Sequence, residues 1–527
     1  MKTPISRRRR GRCLISTLAL LGLVGDAGAQ ELSGQPERGS VPPSKLYDYG
    51  VMGPPATPEI VAAALAATGP LPPGPVEPAW DSIARHYRTP AWFGAAKFGI
   101  FLHWGIYAVP AHHNEWYEKH MYASKLAWHI NKFGPPEQFG YKDFIPRFTQ
   151  EKFKAAAWAA LFKQAGARFV MPSAQHHDNF ALWDSAVTPF NARRLGPKRD
   201  LIGELAVAVR AAGLQFGLSN HGMENFTFIQ PEPALKARLK AAKADLYDPA
   251  WRDFYNVADR SPAALTRFLA DWLRRNEELI DKYQPDLLWF DNGVNLRVLD
   301  PLKLRVAAYL YNRAAGWGKE VAISSKYIAY APSNDDTKQV GSIIDFEKIG
   351  LRSPAGIRPA PWMVDDAIGS TWGYTEGMTI SDGATIVKRL VDTVSKDGFY
   401  LLNLSPKADG TIPEDQQRTL REIGAWLARN GEAIYGSHAW TQHAEGEWRF
   451  TVKGDALYAI GHPVAGRVQL AALPLSIGNI SRVEQLGYGE AALPYRQDAK
   501  GLCVKVAPND SPMPITLKLS GLKLKQL

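Results

Sequence analysis

The stretch Asp286-Leu287-Leu288-Trp289-Phe290-Asp291-Asn292-Gly293 constrains the fold more than any other part of the chain. Four apolar residues run without alternation into an acid, an amide and a glycine. Such a run is the pattern of a strand buried on both faces, as in a parallel sheet covered by helices. Asp291 stands where that strand stops. A lone acid there can cap the next element or open a turn. In a (β/α)8 barrel the same position is where chemistry is placed. The choice turns on whether other strand ends carry reactive groups.

Seven further apolar runs end in polar or aromatic residues: 97–105, 169–175, 214–221, 321–326, 342–347, 362–369 and 398–405. Amphipathic helical patterns fall between several of them. One spans 153–165, and another spans 201–212 with Gly213 as its C-cap. A third spans 262–283, with Ser261 as N-cap and Pro262 at the first helical position. Patterns at 386–395 and 413–430 flank the last strand. Eight strand–helix units over about 350 residues predict an α/β fold of the (β/α)8-like (TIM) barrel type for residues 79–436. The helical patterns between the fifth and seventh strands are weak, so the barrel is expected to be irregular there.

After Gly436 the period changes. Trp448, Phe450 and Val452 alternate with polar residues, Lys453-Gly454-Asp455 makes a turn, and 456–460 runs back. Short strands at 468–473, 503–506 and 515–519 complete a small antiparallel β-sandwich predicted for 437–527 and expected to cover part of the barrel. Ahead of the barrel, residues 30–78 read as a Pro/Gly-rich leader over the surface, with a short helix at 58–67. Residues 1–29 read as a signal peptide. Arg7 to Arg10 and Arg12 form a basic segment, Cys13 to Val24 an apolar one, and Ala27-Gly28-Ala29 a small-residue cleavage site. The apolar run is too short to span a membrane. The mature chain is therefore expected to be exported, to a periplasm or the extracellular space. It would keep only Cys503, and so no internal disulfide.

Composition excludes two classes. Hydrophobic residues make up 46% of the 527, enough for a full core and too many for a disordered chain. The formal charge of +10 falls to about +5 once the signal is removed. With no basic helix or basic-aromatic stripe, this gives no case for a nucleic-acid partner.

The polar groups at the strand ends are His103, His176, His177, Asp178, His221, Glu224, Asp291, Lys326, Asp345, Glu347, Asp365 and Asp366, with Glu115-Trp116-Tyr117 in the loop after the first strand. Two chemistries fit them. Four histidines with Asp291 could ligate zinc for hydrolysis, although no His-x-His or His-Glu-x-x-His spacing occurs. Alternatively, two carboxylates could cleave a glycosidic bond. Asp291 would then be the nucleophile and Glu347, at the end of the sixth strand, the proton donor. The histidines and Trp116 would hold sugar hydroxyls.

Several blocks resemble the α-L-fucosidases of glycoside hydrolase family 29. They are 97–110 with Asn114-Glu115-Trp116-Tyr117, His176-His177-Asp178-Asn179-Phe180, Trp289-Phe290-Asp291, and 401–413. The resemblance runs in order from about residue 80 to 436. It implies a (β/α)8-like barrel with a C-terminal β-sandwich, no metal or other cofactor, and a fucosylated oligosaccharide or glycoconjugate as substrate. It also implies retention of configuration through a covalent fucosyl–enzyme intermediate. Asp291 matches the nucleophile. His103, Glu115, Trp116, His176, His177 and Trp289 match fucose-binding positions, and Trp372 an aromatic lining the pocket for the sugar methyl. Glu347 is taken as acid/base. Three departures stand out: Asn179 replaces a glycine, Met363 replaces a glutamate, and Ser219-Asn220-His221 replaces a tyrosine-bearing segment. His221 is placed with the sugar-binding residues, and Lys326 falls where some members carry arginine. A fucose-binding protein with weak or no catalysis is the other outcome such departures allow.

Overall fold

A computed structural model describes residues 54–326, 329–333, 339–347, 353–358, 361–489, 491–508 and 511–524. The segment read as a signal peptide and the first part of the leader lie outside the described residues. Eight parallel strands close into a barrel in sequence order: β1 (Phe98–Leu102), β2 (Phe169–Gln175), β3 (Gln215–Asn220), β4 (Leu287–Phe290), β5 (Ala322–Lys326), β6 (Ile343–Asp345), β7 (Trp362–Ala367) and β8 (Phe399–Leu404). β8 pairs back onto β1 with Phe98 opposite Tyr400.

Side chains along each strand alternate between two separate cores. Phe101, Phe169, Met171, Leu287, Trp289, Ala322, Ile343, Met363, Phe399 and Leu401 pack together inside the barrel. Their strand neighbours, such as Ile100, Val170, Leu288, Phe290, Ile323 and Leu402, pack outward against the helices. This is why β4 reads as an unbroken apolar run: both faces are buried, and all four of its side chains are solvent-excluded. Each contributes about 1.5–3 kcal/mol on burial. Asp286, just before β4, ties it to β3 by accepting the Phe216 N–H at 2.8 Å and is itself paired with Lys319.

The outer helices are Ala155–Gln164, Leu201–Ala211, Pro262–Tyr283, Asp300–Trp317, Gly383–Ser395 and Glu414–Asn430. Ser261 caps the third by accepting the Ala264 N–H, and Gly213 follows the second with φ +77°. Gly383–Ser395 starts three residues earlier than its pattern suggested because Asp382 caps it through the Thr385 N–H. Among the described residues no helix lies between β5 and β7, so the barrel is irregular where the pattern was weak.

The helix Asp300–Trp317 was not foreseen. It buries Lys303, Arg305 and Asn312 where an amphipathic stripe would have apolar residues. Each is satisfied. Lys303 pairs with Asp300, Arg305 bonds Glu277 and the Gly69 carbonyl, and Asn312 bonds the backbone of Pro72 and Val76. Three of these partners, Gly69, Pro72 and Val76, belong to the leader. The segment that follows its helix Pro58–Ala66 is thus clamped to the barrel by the polar groups that obscure the pattern.

Beyond the barrel, eight strands between His438 and Ser520 form a five-stranded antiparallel sheet and a three-stranded one around their own core. This module sits against the flank of the barrel. Arg449 pairs with Asp392 at 2.6 Å, Trp426 donates to the Pro514 carbonyl, and Thr451 to the Ala433 carbonyl. It therefore covers the helices around β8. No helix among the described residues is long and apolar enough to cross a membrane.

Candidate active site

The inward parity of each strand carries past its C-terminal end. Continuing the inward-facing Leu287 and Trp289 by two residues turns Asp291 to the same inner side. The same count gives His103 after Phe101, Lys326 after Ser324, Glu347 after Asp345 and His221 after Ser219. Asp366 has the opposite parity and bonds outward to Arg389 and Tyr400, so it takes no part.

Asp291 is the centre of the cluster. Its Oδ1 lies 3.1 Å from Lys326 Nζ and accepts the Asn292 N–H at 2.7 Å. Its Oδ2 lies 2.8 Å from His221 Nδ1 and 3.7 Å from His177 Nε2. Burial opposes ionisation here, but the Lys326 ammonium and the His221 hydrogen bond outweigh it and hold the carboxyl well below its usual range. Glu347 Oε2 lies 3.4 Å from the same Lys326 Nζ, and its Oε1 is buried without a hydrogen-bond partner among the described residues. Burial alone would lower the Lys326 pKa; the carboxylates of Asp291 and Glu347 keep it well above its usual value.

Around this pair stand neutral aromatic walls. His103 follows β1, and its Nδ1 meets Asn403 Oδ1 at 2.7 Å, leaving Nε2 for the pocket. Trp372 packs against His103 with ring centroids 5.2 Å apart and the planes tilted by 38°. Glu115 Oε2 accepts the backbone N–H groups of Trp372 and Gly373, which binds the loop after β1 to the loop after β7. Trp116 meets His177 edge-on at 5.8 Å. Burial holds His103 and His176 well below the usual histidine range and takes His177 down to about 3. At neutral pH these rings are uncharged and suited to exchanging hydrogen bonds with hydroxyls.

The floor is a second layer. Trp289 has no exposed surface, and its N–H donates to Asp345 Oδ2 at 2.7 Å. Burial pushes Asp345 up to about 7, and burial with the nearby charges of Asp345 and Glu347 pushes Asp365 well above the carboxylate range. Behind the site, Glu224 Oε2 lies 3.2 Å from His177 Nδ1. Asp178 accepts the Tyr141 hydroxyl at 2.8 Å and does not reach Asp291. Asn179 takes a left-handed φ of +64°, which explains why glycine or asparagine suits this position. Its side chain bonds Arg275 and the backbone of Asp253 and Phe254.

Sequence reasoning placed Asp291, Glu347, His103, Glu115, Trp116, His176, His177, His221 and Trp372 at this end of the barrel, and the structure gathers them there. It puts Trp289 beneath them. Three further residues contribute: Lys326, which the sequence alone does not assign a role, and Asn403 and Ser219, whose motifs do not single them out. Strand parity was the signal that could have found all three.

One nitrogen from each of His103, His176 and His221 lies within 4.8 Å of the others, and His177, His221 and Asp291 form a similar group. His221 belongs to both. Its Nδ1 is committed to Asp291 and its Nε2 to Ser219 Oγ at 2.9 Å. A metal at either group would have to displace one of those bonds, so the donor set is built for internal hydrogen bonding and fits an ion poorly.

A closed barrel with two buried carboxyls bridged by a lysine and walled by neutral histidines and tryptophans is the constellation of a glycoside hydrolase. The alpha-L-fucosidase family model matches residues 64–432. The tissue alpha-L-fucosidase of Rattus norvegicus is 31% identical over 463 residues, covering 83% of this chain and 90% of its own. The plasma alpha-L-fucosidase of Homo sapiens is 32% identical over 457 residues, covering 82% and 88%. The crystal structure of Thermotoga maritima alpha-fucosidase in complex with fucose superposes with a TM-score of 0.68 at 30% identity, covering 84% of this chain and 100% of that one. The chain belongs to the α-L-fucosidase family.

Proposed function

We propose that this protein is a retaining, exo-acting α-L-fucosidase that releases terminal α-L-fucosyl residues from glycans. The observation that carries the reading is Lys326 seated between Asp291 and Glu347. Its contacts of 3.1 and 3.4 Å keep the nearest carboxylate oxygens within about 6.5 Å of each other, which leaves room for the short separation of a retaining pair and reaches only the lower edge of the inverting range. Asp291 attacks the anomeric carbon while Glu347 gives its proton to the departing oxygen, forming a fucosyl ester. Glu347 then takes a proton from water as the water attacks the same carbon, and the ester breaks with net retention. Lys326 keeps Asp291 anionic for the first step. The closed floor of Trp289 and Asp345 supports action on a terminal sugar. The Arg-rich and then apolar N-terminus supports export, and an N-terminus near Gln30 on protein recovered outside the cytoplasm would test that.

The test of activity is release of nitrophenol from 4-nitrophenyl α-L-fucoside, with Asp291→Ala as control and a parallel assay in chelator. Turnover that survives chelation and disappears in the variant supports the reading. Turnover abolished by chelator, or unchanged in the variant, would reject it. Fucose binding without turnover on any fucoside would favour a binding protein.

A further inference from the structure

We propose that His221 is a positioning residue for the nucleophile, held in one tautomer by Ser219, and makes no hydrogen bond to the sugar. The proposal rests on Asp291 acting as nucleophile. Both ring nitrogens of His221 are occupied: Nδ1 lies 2.8 Å from Asp291 Oδ2 and Nε2 lies 2.9 Å from Ser219 Oγ. The Asp291 carboxylate has no proton to give, so Nδ1 must be the donor. Nε2 then carries the lone pair, and the Ser219 hydroxyl donates to it. Ser219 and His221 are two residues apart, so the inward parity of β3 stacks them on one face. The imidazole is almost wholly buried, with Phe101 and Trp289 against it at centroid distances of 6.2 and 5.0 Å.

The consequence is a carboxylate gripped at both oxygens by different means. Oδ1 takes the charged Lys326 ammonium and the Asn292 N–H, and Oδ2 takes the neutral His221 N–H. The lysine supplies charge, and the histidine supplies direction. Without the Nδ1 donor, Asp291 is free to rotate about its last torsion toward Lys326 and away from in-line attack. His103 differs: only its Nδ1 is used by Asn403, so it keeps a nitrogen for a hydroxyl.

Three variants of the full chain test this: His221→Phe, which keeps a ring but no donor; His221→Asn, which keeps a short donor; and Ser219→Ala. Each is measured for kcat and KM on the chromogenic fucoside and for inhibition by free fucose. His221→Phe should lower kcat about 10- to 100-fold, the worth of a hydrogen bond to a charged group. The fucose inhibition constant should stay within about threefold, because no sugar contact is lost. His221→Asn should recover part of the loss, and Ser219→Ala should cost about 3- to 10-fold in kcat. Wild-type kcat in both His221→Asn and Ser219→Ala would overturn the proposal, even if His221→Phe failed to fold. Weakened fucose inhibition with unchanged kcat would overturn it in favour of a sugar contact. Asp291→Gly with added azide separates the two levels. Rescued turnover upholds the nucleophile whatever the His221 variants do, and absent rescue sinks that reading and this one with it.

Discussion

Lys326 Nζ lies 3.1 Å from Asp291 Oδ1, a contact between strand ends β5 and β4 that is almost closed to solvent. Removing the ammonium leaves a buried carboxylate with weaker support. In Lys326→Met, kcat/KM should fall about 100- to 1000-fold. The held-down pKa of Asp291 should rise, so the acid limb of the pH–rate profile should move to higher pH. Lys326→Arg should retain more activity, since a guanidinium can still meet both carboxylates. An unmoved acid limb in Lys326→Met would show that the lysine does not set the ionisation of Asp291.

Glu347→Gln separates proton donation from nucleophilic attack. With a nitrophenyl leaving group, which needs little protonation, fucosyl transfer to Asp291 should slow only modestly. With an alkyl fucoside the loss should be about 100- to 10,000-fold. Pre-steady-state rates on the two substrates give the comparison. Equal losses on both would remove Glu347 from the acid role.

Glu115 acts through the backbone of another loop. Its carboxylate accepts the Trp372 and Gly373 N–H groups, and Trp372 in turn leans on His103. In Glu115→Ala two buried donors lose their acceptor, at about 1–3 kcal/mol each. The loop should loosen and KM should rise about tenfold or more, with a smaller change in kcat. A kcat effect larger than the KM effect would place Glu115 nearer the chemistry than the structure does.

Stability should carry a signature of Asp245, in the loop after β3. Its carboxyl accepts both the Tyr122 and Tyr255 hydroxyls, and burial lifts its pKa to about 7. A carboxyl with a raised folded pKa binds more protons folded than unfolded between about pH 4 and 7. Its contribution is thus fully present at low pH and is lost as pH rises through that window. Asp245→Asn cannot lose it. The melting temperature of the variant relative to the parent should improve from pH 5 to pH 8. A difference that stays constant with pH would show that Asp245 is ionised throughout.

Much of this architecture was legible because parallel strands leave a simple mark. Leu287 to Phe290 are apolar on both faces, and five of the six outer helices carry an apolar stripe that the sequence shows. Asp300–Trp317 was hidden because it spends buried positions on Lys303, Arg305 and Asn312 to hold the leader, a tertiary demand that periodicity does not encode. In the site, residues were legible when they fell at strand ends in recognisable blocks. The division of labour among them was not. Nothing in the order Ser219-Asn220-His221 says that both histidine nitrogens are taken, and nothing in Lys326 says that it faces two acids. Those facts depend on strand register, which brings Ser219 beside Trp289 and Lys326 beside Asp345. Two-residue parity, applied strand by strand, would have recovered the inward set, including Asn403 after Leu401.

The most direct measurement is to trap the fucosyl–enzyme ester with 2-deoxy-2-fluoro-α-L-fucosyl fluoride and locate it by peptide mass spectrometry. The account predicts one adduct per chain, on Asp291, with loss of activity that tracks its formation. An adduct on a different carboxylate, or enzyme that turns over fucosides yet never accumulates an adduct and yields the inverted anomer first, would contradict it.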